Sequence, residues 1–271
     1  MSEPGELRVL PVHDLPEIEE GAKLGALIAA HAELSDGDVL VVSQKVVSKA
    51  EGRVRHLSSA IPGAEARKLA AVLGKEPALI QLILEESREV LRAERGVLIT
   101  ETHHGFVCAN AGIDSSNLPD DDTVCLLPED PDASARRIRA EIQGVSGVEL
   151  GGRASRRVSG ESHPRHPLTV AVVIADSFGR AWRLGQSEVA IGCAGLVPLD
   201  DWRGRSDAEG QKLEATQIAI ADEAAGAADL ARGKDSRVPV VVVRGLDRFV
   251  IGEDGPGAQA LRRPRADDLF R

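Results

Sequence analysis

The sequence predicts a mixed α and β fold. Three observations predict it: helix and strand signals alternate along the chain, 271 residues suffice to bury a substantial core, and the strand candidates are dense in Val and Ile. Only 2% of the residues are aromatic and none is tyrosine, so the core must be built from Val, Leu, Ile and Ala.

Taken in order, a first helix is expected over roughly 21–33, and "DVLVVS" (38–43) follows as a buried strand. Helices over 64–73 and 76–94 precede an apolar run at 97–101, with further strands at "GFVCAN" (105–110) and "TVCLL" (123–127). Between the middle pair, "ETHHGF" reads as a hairpin tip, which makes His103 and His104 solvated turn residues. A metal site there would need ligands that no nearby spacing supplies. A helix over 131–143 carries Asp132 or Ser134 near its N-cap. The segment 143–167 is rich in Gly, Ser, Arg and His and has no hydrophobic period, so it reads as a long mobile connection dividing the chain into halves. Its four arginines would serve equally as a solvated linker or as a lid over an anionic ligand. The strand "LTVAVVIAD" (168–176), a helix over 208–232 and the strand "VPVVVVRG" (238–245) complete the pattern, and the tail "EDGPGAQALRRPRADDLFR" (253–271) is expected to fray. No internal repeat occurs.

A formal net charge of -10 argues against general nucleic-acid binding, although it is compatible with a local cationic pocket. No apolar stretch has the length of a membrane span, and the acidic start lacks a signal core, so a cytoplasmic protein is expected. Cys108, Cys125 and Cys193 each sit in apolar sequence and read as buried thiols.

Neither a GxxxxGK[ST] loop nor a GxGxxG turn is present, so phosphate chemistry would need another cradle. Three polar stretches offer one. In "VVSQKVVSKAEGR" (41–53), Gln44, Lys45, Ser48 and Lys49 follow a core strand, and two of only seven lysines fall in this one turn. They would lie at the carboxyl end of a sheet, where ligands commonly bind, or form an ordinary solvated strand-to-loop transition. In "NAGIDSSN" (110–117), Asp114 and Asn117 can share one side of a cavity, or form an Asx-turn. In "VVIADSFGRAWRLGQSEVAIGCAGL" (172–196), Asp176 and Ser177 end an apolar strand and present oxygen atoms of the kind that hard cations prefer. Arg180 and Arg183 follow in a Gly-punctuated loop suited to anions, and a structural carboxylate–arginine pair is the rival reading.

Together, "SQKVVSKAEGR", "NAGIDSSN", "ADSFGR" with "AIGCAG", "DWRGRSD", "ADE" and "VPVVVVRGL" resemble, in that order, the coenzyme F420-0:L-glutamate ligase (F420 gamma-glutamyl ligase) family over about residues 8 to 247. That resemblance implies an α+β fold, mixed sheets with flanking helices in a two-part arrangement, forming an intertwined homodimer. It further implies one ligase domain over 1–247 and a short tail over 248–271. The implied chemistry joins L-glutamate to the phospholactyl carboxylate of coenzyme F420-0 at the expense of GTP, through an acyl phosphate, with further gamma-linked glutamates in some members. Mg2+ or Mn2+ is implied as cofactor, and a monovalent cation such as K+ is a further expectation. Carried over by position, GTP contacts fall on Leu15, Pro16, Glu17, Ile18, Gln44, Lys45, Lys49 and Asn117, with Gly233 and Lys234 from the loop before the last strand. Metal ligands fall on Asp114, Asp176 and Ser177, while Arg180 and Arg183 are assigned to anchoring the acceptor.

The chain departs from the family at "ARGKDSRVP" (231–239), where Lys234 stands in place of an acidic metal ligand found in some members. Asp235 would replace it, or one metal site would be incomplete, or Lys234 would neutralise phosphate directly. Some relatives carry a fused flavin-dependent domain; here the sequence ends soon after "VVVRGL", so that second activity is expected to be absent. Two alternatives remain: a non-catalytic nucleotide- or cofactor-binding regulator, and a related GTP-dependent ligase with a different carboxylate acceptor.

Overall fold

The computed structural model describes residues 5–115, 122–146, 167–233 and 235–269. The strands are β1 (Arg8–Pro11), β2 (Val39–Ser43), β3 (Val54–His56), β4 (Ser87–Glu94), β5 (Val97–Thr102), β6 (Val107–Ala109), β7 (Thr123–Cys125), β8 (Ala171–Arg180), β9 (Arg183–Ala194), β10 (Asp200–Asp201), β11 (Gln217–Ile218) and β12 (Val240–Arg244). The helices are α1 (Leu24–His31), α2 (Gln44–Ala50), α3 (Ala64–Leu73), α4 (Pro77–Glu85), α5 (Pro131–Ser146) and α6 (Ile220–Leu230). This is an α+β fold, as expected.

The main sheet runs β1-β12-β2-β8-β9, and within it only β2 and β8 are parallel. Buried on both faces, β2 and β12 need no polar alternation, which explains their unbroken apolar runs. One face packs Leu40, Val42, Val172 and Ile174 against α1 and α5, through Ile28, Ile138 and Ile142. The other packs Val41, Val173 and Val243 against α6, whose Ala221, Ala224, Ala225 and Ala228 let the helix sit close. A second part holds α3, α4, the small sheet β4-β5-β6 and the pair β3-β7 around Ile80, Ile83 and Leu98.

Two of the expected helices are too long. The helix over 76–94 ends at Glu85, and 87–94 instead forms β4, turned back into β5 at Arg95 and Gly96, both at positive φ. An X-Gly pair in that conformation is a hairpin turn, and the charged residues of β4 mimic helical spacing because its pairing slips twice. The helix over 208–232 begins only at Ile220; upstream lie β11 and an irregular loop in which Asp207 accepts from the amides of Glu209 and Gln211.

Asp130, rather than Asp132 or Ser134, caps α5 by accepting from the Ala133 amide at 2.9 Å. Asp132 instead accepts from the amides of Cys193 and Ala258. The tail does not fray as expected over its first part: Ala258 is buried, and Arg139 reaches from α5 to Asp254, as well as to the carbonyls of Ile251 and Gly252 just before the tail. Most of the expected connection at 143–167 lies outside the described residues.

Gly192 of β9 lies directly against the backbone of Pro131, so a Cβ there would collide with the Pro131 carbonyl. Gly192→Ala should therefore lower stability by about 1–3 kcal/mol, as overpacking against backbone does. Thermal melting checks this, and an unchanged melting temperature would mean that α5 shifts off the sheet at no cost.

Candidate functional site

Because β2 and β8 run parallel with Ser43 opposite Ala175, the residues that follow each strand emerge at one edge of the sheet. From β2 the chain turns straight into α2, so the expected loop at 44–50 is a short helix carrying Lys45 and Lys49. From β8 come Asp176 and Ser177. The third contribution arrives from the turn at Asn110 and Ala111, both left-handed at φ 53°, which leads into Asp114 and a bridge between Asp114 and Cys125.

Lys45 Nζ lies 2.8 Å from Asp114 Oδ2, so two of the three polar stretches touch. Asp176 belongs to the same centre. Burial raises its carboxyl to about 7, helped by repulsion from Glu188 and Asp114, while the Ser177 amide, Asp176's hydrogen-bond donor at 2.9 Å, and the Lys45 charge pull the other way. Lys45, Asp114 and Asp176 thus form one electrostatic unit drawn from three elements.

Strand alternation separates Asp176 from Ser177. Asp176 pairs with Val189 and shares the α1–α5 face with Phe178, whereas Ser177 pairs with Glu188 toward α6. Ser177 Oγ donates to Glu188 Oε1, and Arg232 Nη2 donates to Glu188 Oε2 at 2.9 Å. Glu188 and Arg232 are nearly buried, at 5% and 9% side-chain exposure. The sequence reading missed both, because it placed Arg180 and Arg183 in a loop after the strand rather than in a hairpin. A bend at Ala181 and Trp182 pairs Arg180 with Arg183, and only a register shift at Gly179 then sets Ser177 opposite Glu188 rather than Gln186, so no local pattern marked the pair.

Other expected contacts are placed differently. Lys49 Nζ lies 2.5 Å from Glu17 Oε1, which brings the "LPEI" segment onto α2. Within that segment Ile18 is buried and Leu15 packs against the core, while Pro16 and Glu17 are exposed. Gln44 is 2% exposed and donates inward to Ser48 Oγ and the Leu126 carbonyl, so it fixes α2 to the segment after β7. Arg180 and Arg183 do not lie in a loop: they pair across the exposed end of the β8–β9 hairpin, and Arg180 donates to the Leu184 carbonyl. Gly233 is exposed beside the Asp235 carboxylate, while Asn117 and Lys234 lie outside the described residues.

Among the described residues no three His, Cys, Asp or Glu side chains gather closely enough to enclose a metal. Asp114 and Asp176 nevertheless fit a hard divalent cation, since two carboxylates are a usual protein share when water and phosphate oxygens complete the shell. Burial is the main cause of the raised Asp176 carboxyl, and the added repulsion from Glu188 and Asp114 is of the kind that a bound cation relieves. Cys108, Cys125 and Cys193 are free and buried; burial pushes the Cys108 and Cys193 thiols up to about 12, which leaves them without thiolate character at neutral pH. His104 is not a plain solvated turn residue, because its ring bonds the Pro128 and Glu129 carbonyls and stacks on Phe106. No helix among the described residues is long and apolar enough to cross a membrane.

A model of the family described as F420-0:Gamma-glutamyl ligase matches residues 13–151 and 155–245. The chain is 40% identical to the coenzyme F420:L-glutamate ligase of Methanothermobacter thermautotrophicus over 271 residues, covering 98% of this chain and 99% of that protein. It is 38% identical to the protein of the same name from Methanocaldococcus jannaschii, over 95% of this chain and 94% of that one. With the Archaeoglobus fulgidus protein of that name it shares 39% identity, over 98% and 96% of the two chains.

Proposed function

Because this chain belongs to the F420-0:gamma-glutamyl ligase family, we propose that it is a GTP-dependent ligase that joins L-glutamate to the carboxylate of coenzyme F420-0. The observation that carries the reading is the pairing of Lys45 with Asp114 at the carboxyl end of β2, beside Asp176 on the neighbouring strand β8, whose carboxyl both of them influence.

An unactivated carboxylate is a poor acyl donor. In the proposed route a carboxylate oxygen of the coenzyme attacks the γ-phosphorus of GTP, the bond to the β-phosphate oxygen breaks, and GDP leaves behind an acyl phosphate. The glutamate amine then attacks the acyl carbon, phosphate departs, and the nitrogen gives up a proton to leave the amide. In both steps the protein's task is positioning and charge neutralisation. Asp114 and Asp176 would hold a magnesium or manganese ion, which when bound neutralises phosphate charge. Lys45 and Lys49 already lie against carboxylates, Asp114 and Glu17, which keeps both ammonium groups ordered at the edge where a polyphosphate would bind. Gly233, Lys234 and Asn117 are assigned to the nucleotide by position in the family. The homodimer belongs to the same proposal, with sedimentation as its measurement.

Mass spectrometry of a mixture of protein, coenzyme F420-0, L-glutamate, GTP and Mg2+ tests the reading, because each added glutamate leaves a countable increment. One GDP per increment is expected. GDP release without glutamate on the coenzyme would point to a different acceptor, and neither product would point to a non-catalytic nucleotide binder. Lys49→Ala should weaken GTP binding by about 1.5–3 kcal/mol, the scale of a hydrogen bond to a charged group. Unchanged affinity by calorimetry would leave Lys49 as a partner of Glu17 alone.

A further inference from the structure

We infer that Arg262 of the C-terminal tail is a positioning residue for the proposed site: through Phe106 and the His104 carbonyl it holds the part that carries Asp114 against the strand that carries Asp176. The inference rests on the site reading above, in which the two carboxylates share one cation.

Asp114 and Asp176 come from different parts of the fold. Asp176 sits on β8 of the main sheet. Asp114 is bridged to Cys125 of β7 and follows β6 through the left-handed turn at Asn110 and Ala111. The separation of the two carboxylates is therefore set by how the second part is seated. One attachment lies at α2, where Gln44 donates to the Leu126 carbonyl and Lys45 meets Asp114. That attachment alone would leave the second part able to swing about α2. Another lies at β6, which packs against β8. There Phe106 meets Phe178 edge-on, with ring centroids 6.1 Å apart, and Phe178 shares the face of Asp176.

The tail closes this second attachment. Asp132 Oδ1 accepts from the Ala258 amide at 2.7 Å, and Gly257 passes so close that a Cβ there would lie 2.5 Å from the Asp132 carboxylate. Ala258 is buried and Leu261 packs against the α6-side core, so this stretch is fixed to the main sheet. Arg262 then crosses to the second part: Nη1 donates to the His104 carbonyl, and the guanidinium lies 5.8 Å from the centre of the Phe106 ring. Arg265 continues onto the small sheet, donating to Glu89 at 3.0 Å and lying 3.6 Å from Glu101. Arg262 is exposed, and contacts between an exposed cation and a ring add little to stability. What such contacts can supply is placement, since a constellation of functional groups loses effect when displaced by about 0.5–1 Å.

The test measures Mn2+ affinity in the presence of a GTP analogue that cannot be hydrolysed, with thermal melting of each variant so that binding is read on folded protein. Arg262→Ala should weaken Mn2+ binding by about tenfold, the lower end of the range for partners that act through a ligand, and should lower kcat by at least as much. Its melting temperature should stay close to that of the parent. Arg262→Lys keeps a cation near Phe106 and a donor for the His104 carbonyl, so it should recover most of the loss. A purely structural role would lower the melting temperature and leave the affinity of the folded protein unchanged. That result, or an equal loss of affinity in Arg262→Lys, would overturn the inference. Failure of the unaltered protein to bind Mn2+ with the analogue would instead overturn the site reading itself, and this inference with it.

Discussion

Asp176→Asn should reduce ligase turnover by more than about 100-fold while leaving the protein folded, and in metal-free buffer above neutral pH the variant should melt higher than the parent. Outer partners of a bound ion already cost about 10–100-fold when removed, so loss of a direct anionic ligand should exceed that range. The stability gain has a separate cause. The fold holds the Asp176 carboxyl at about 7 against an ordinary 3.8, so between those values the folded state binds a proton that the unfolded chain has released. Stability from this group is therefore complete below about pH 4 and is lost as the pH rises through about 7. An amide has no proton to lose. Melting temperature against pH for both metal-free proteins checks the sign: parallel curves from pH 4 to 8 would remove Asp176 from the strained centre, and near-normal activity would remove it from the reaction.

Arg139→Ala should destabilise the protein by about 3–5 kcal/mol, the range for breaking a buried charged network. Arg139 side-chain exposure is 4%, and its guanidinium donates to the Val170, Ile251 and Gly252 carbonyls as well as to Asp254. Truncation strands those acceptors and unties the C-terminal segment from α5 and β8. For a domain of this size the loss corresponds to roughly 6–20 °C of melting temperature. A drop of only a degree or two would mean that the segment after 247 contributes little to the fold.

The legible parts of the sequence were those in which local pattern and tertiary role agree. The runs at 39–42, 171–175 and 240–243 are apolar because both faces of the central sheet are covered, and composition alone marks such strands. Lys45, Asp114 and Asp176 were found as separate stretches, and the structure joins them. What escaped depends on register. Whether Ser177 faces Glu188 is decided by the hairpin bend around Ala181 and by one irregularity at Gly179, neither of which leaves a compositional trace. Gln44 escaped in a different way: a polar side chain at a strand end suggests a ligand contact, yet its amide satisfies the buried Leu126 carbonyl. The same ambiguity made β4 resemble the continuation of a helix.

The parallel pairing of β2 with β8 also has a kinetic meaning. Val39 meets Ala171 only after the whole intervening part, with α3, α4 and the small sheets, has been looped out, and such closure is slow because its entropy is lost before the contact rewards it. Asp114 lies inside that loop, while Lys45 and Asp176 are held at its two ends. A growing or partly folded chain therefore carries each group without the others. Such a chain should neither hold the proposed nucleotide nor squander it by idle hydrolysis, and competence should appear in a single late step of folding, together with the pairing of β2 and β8.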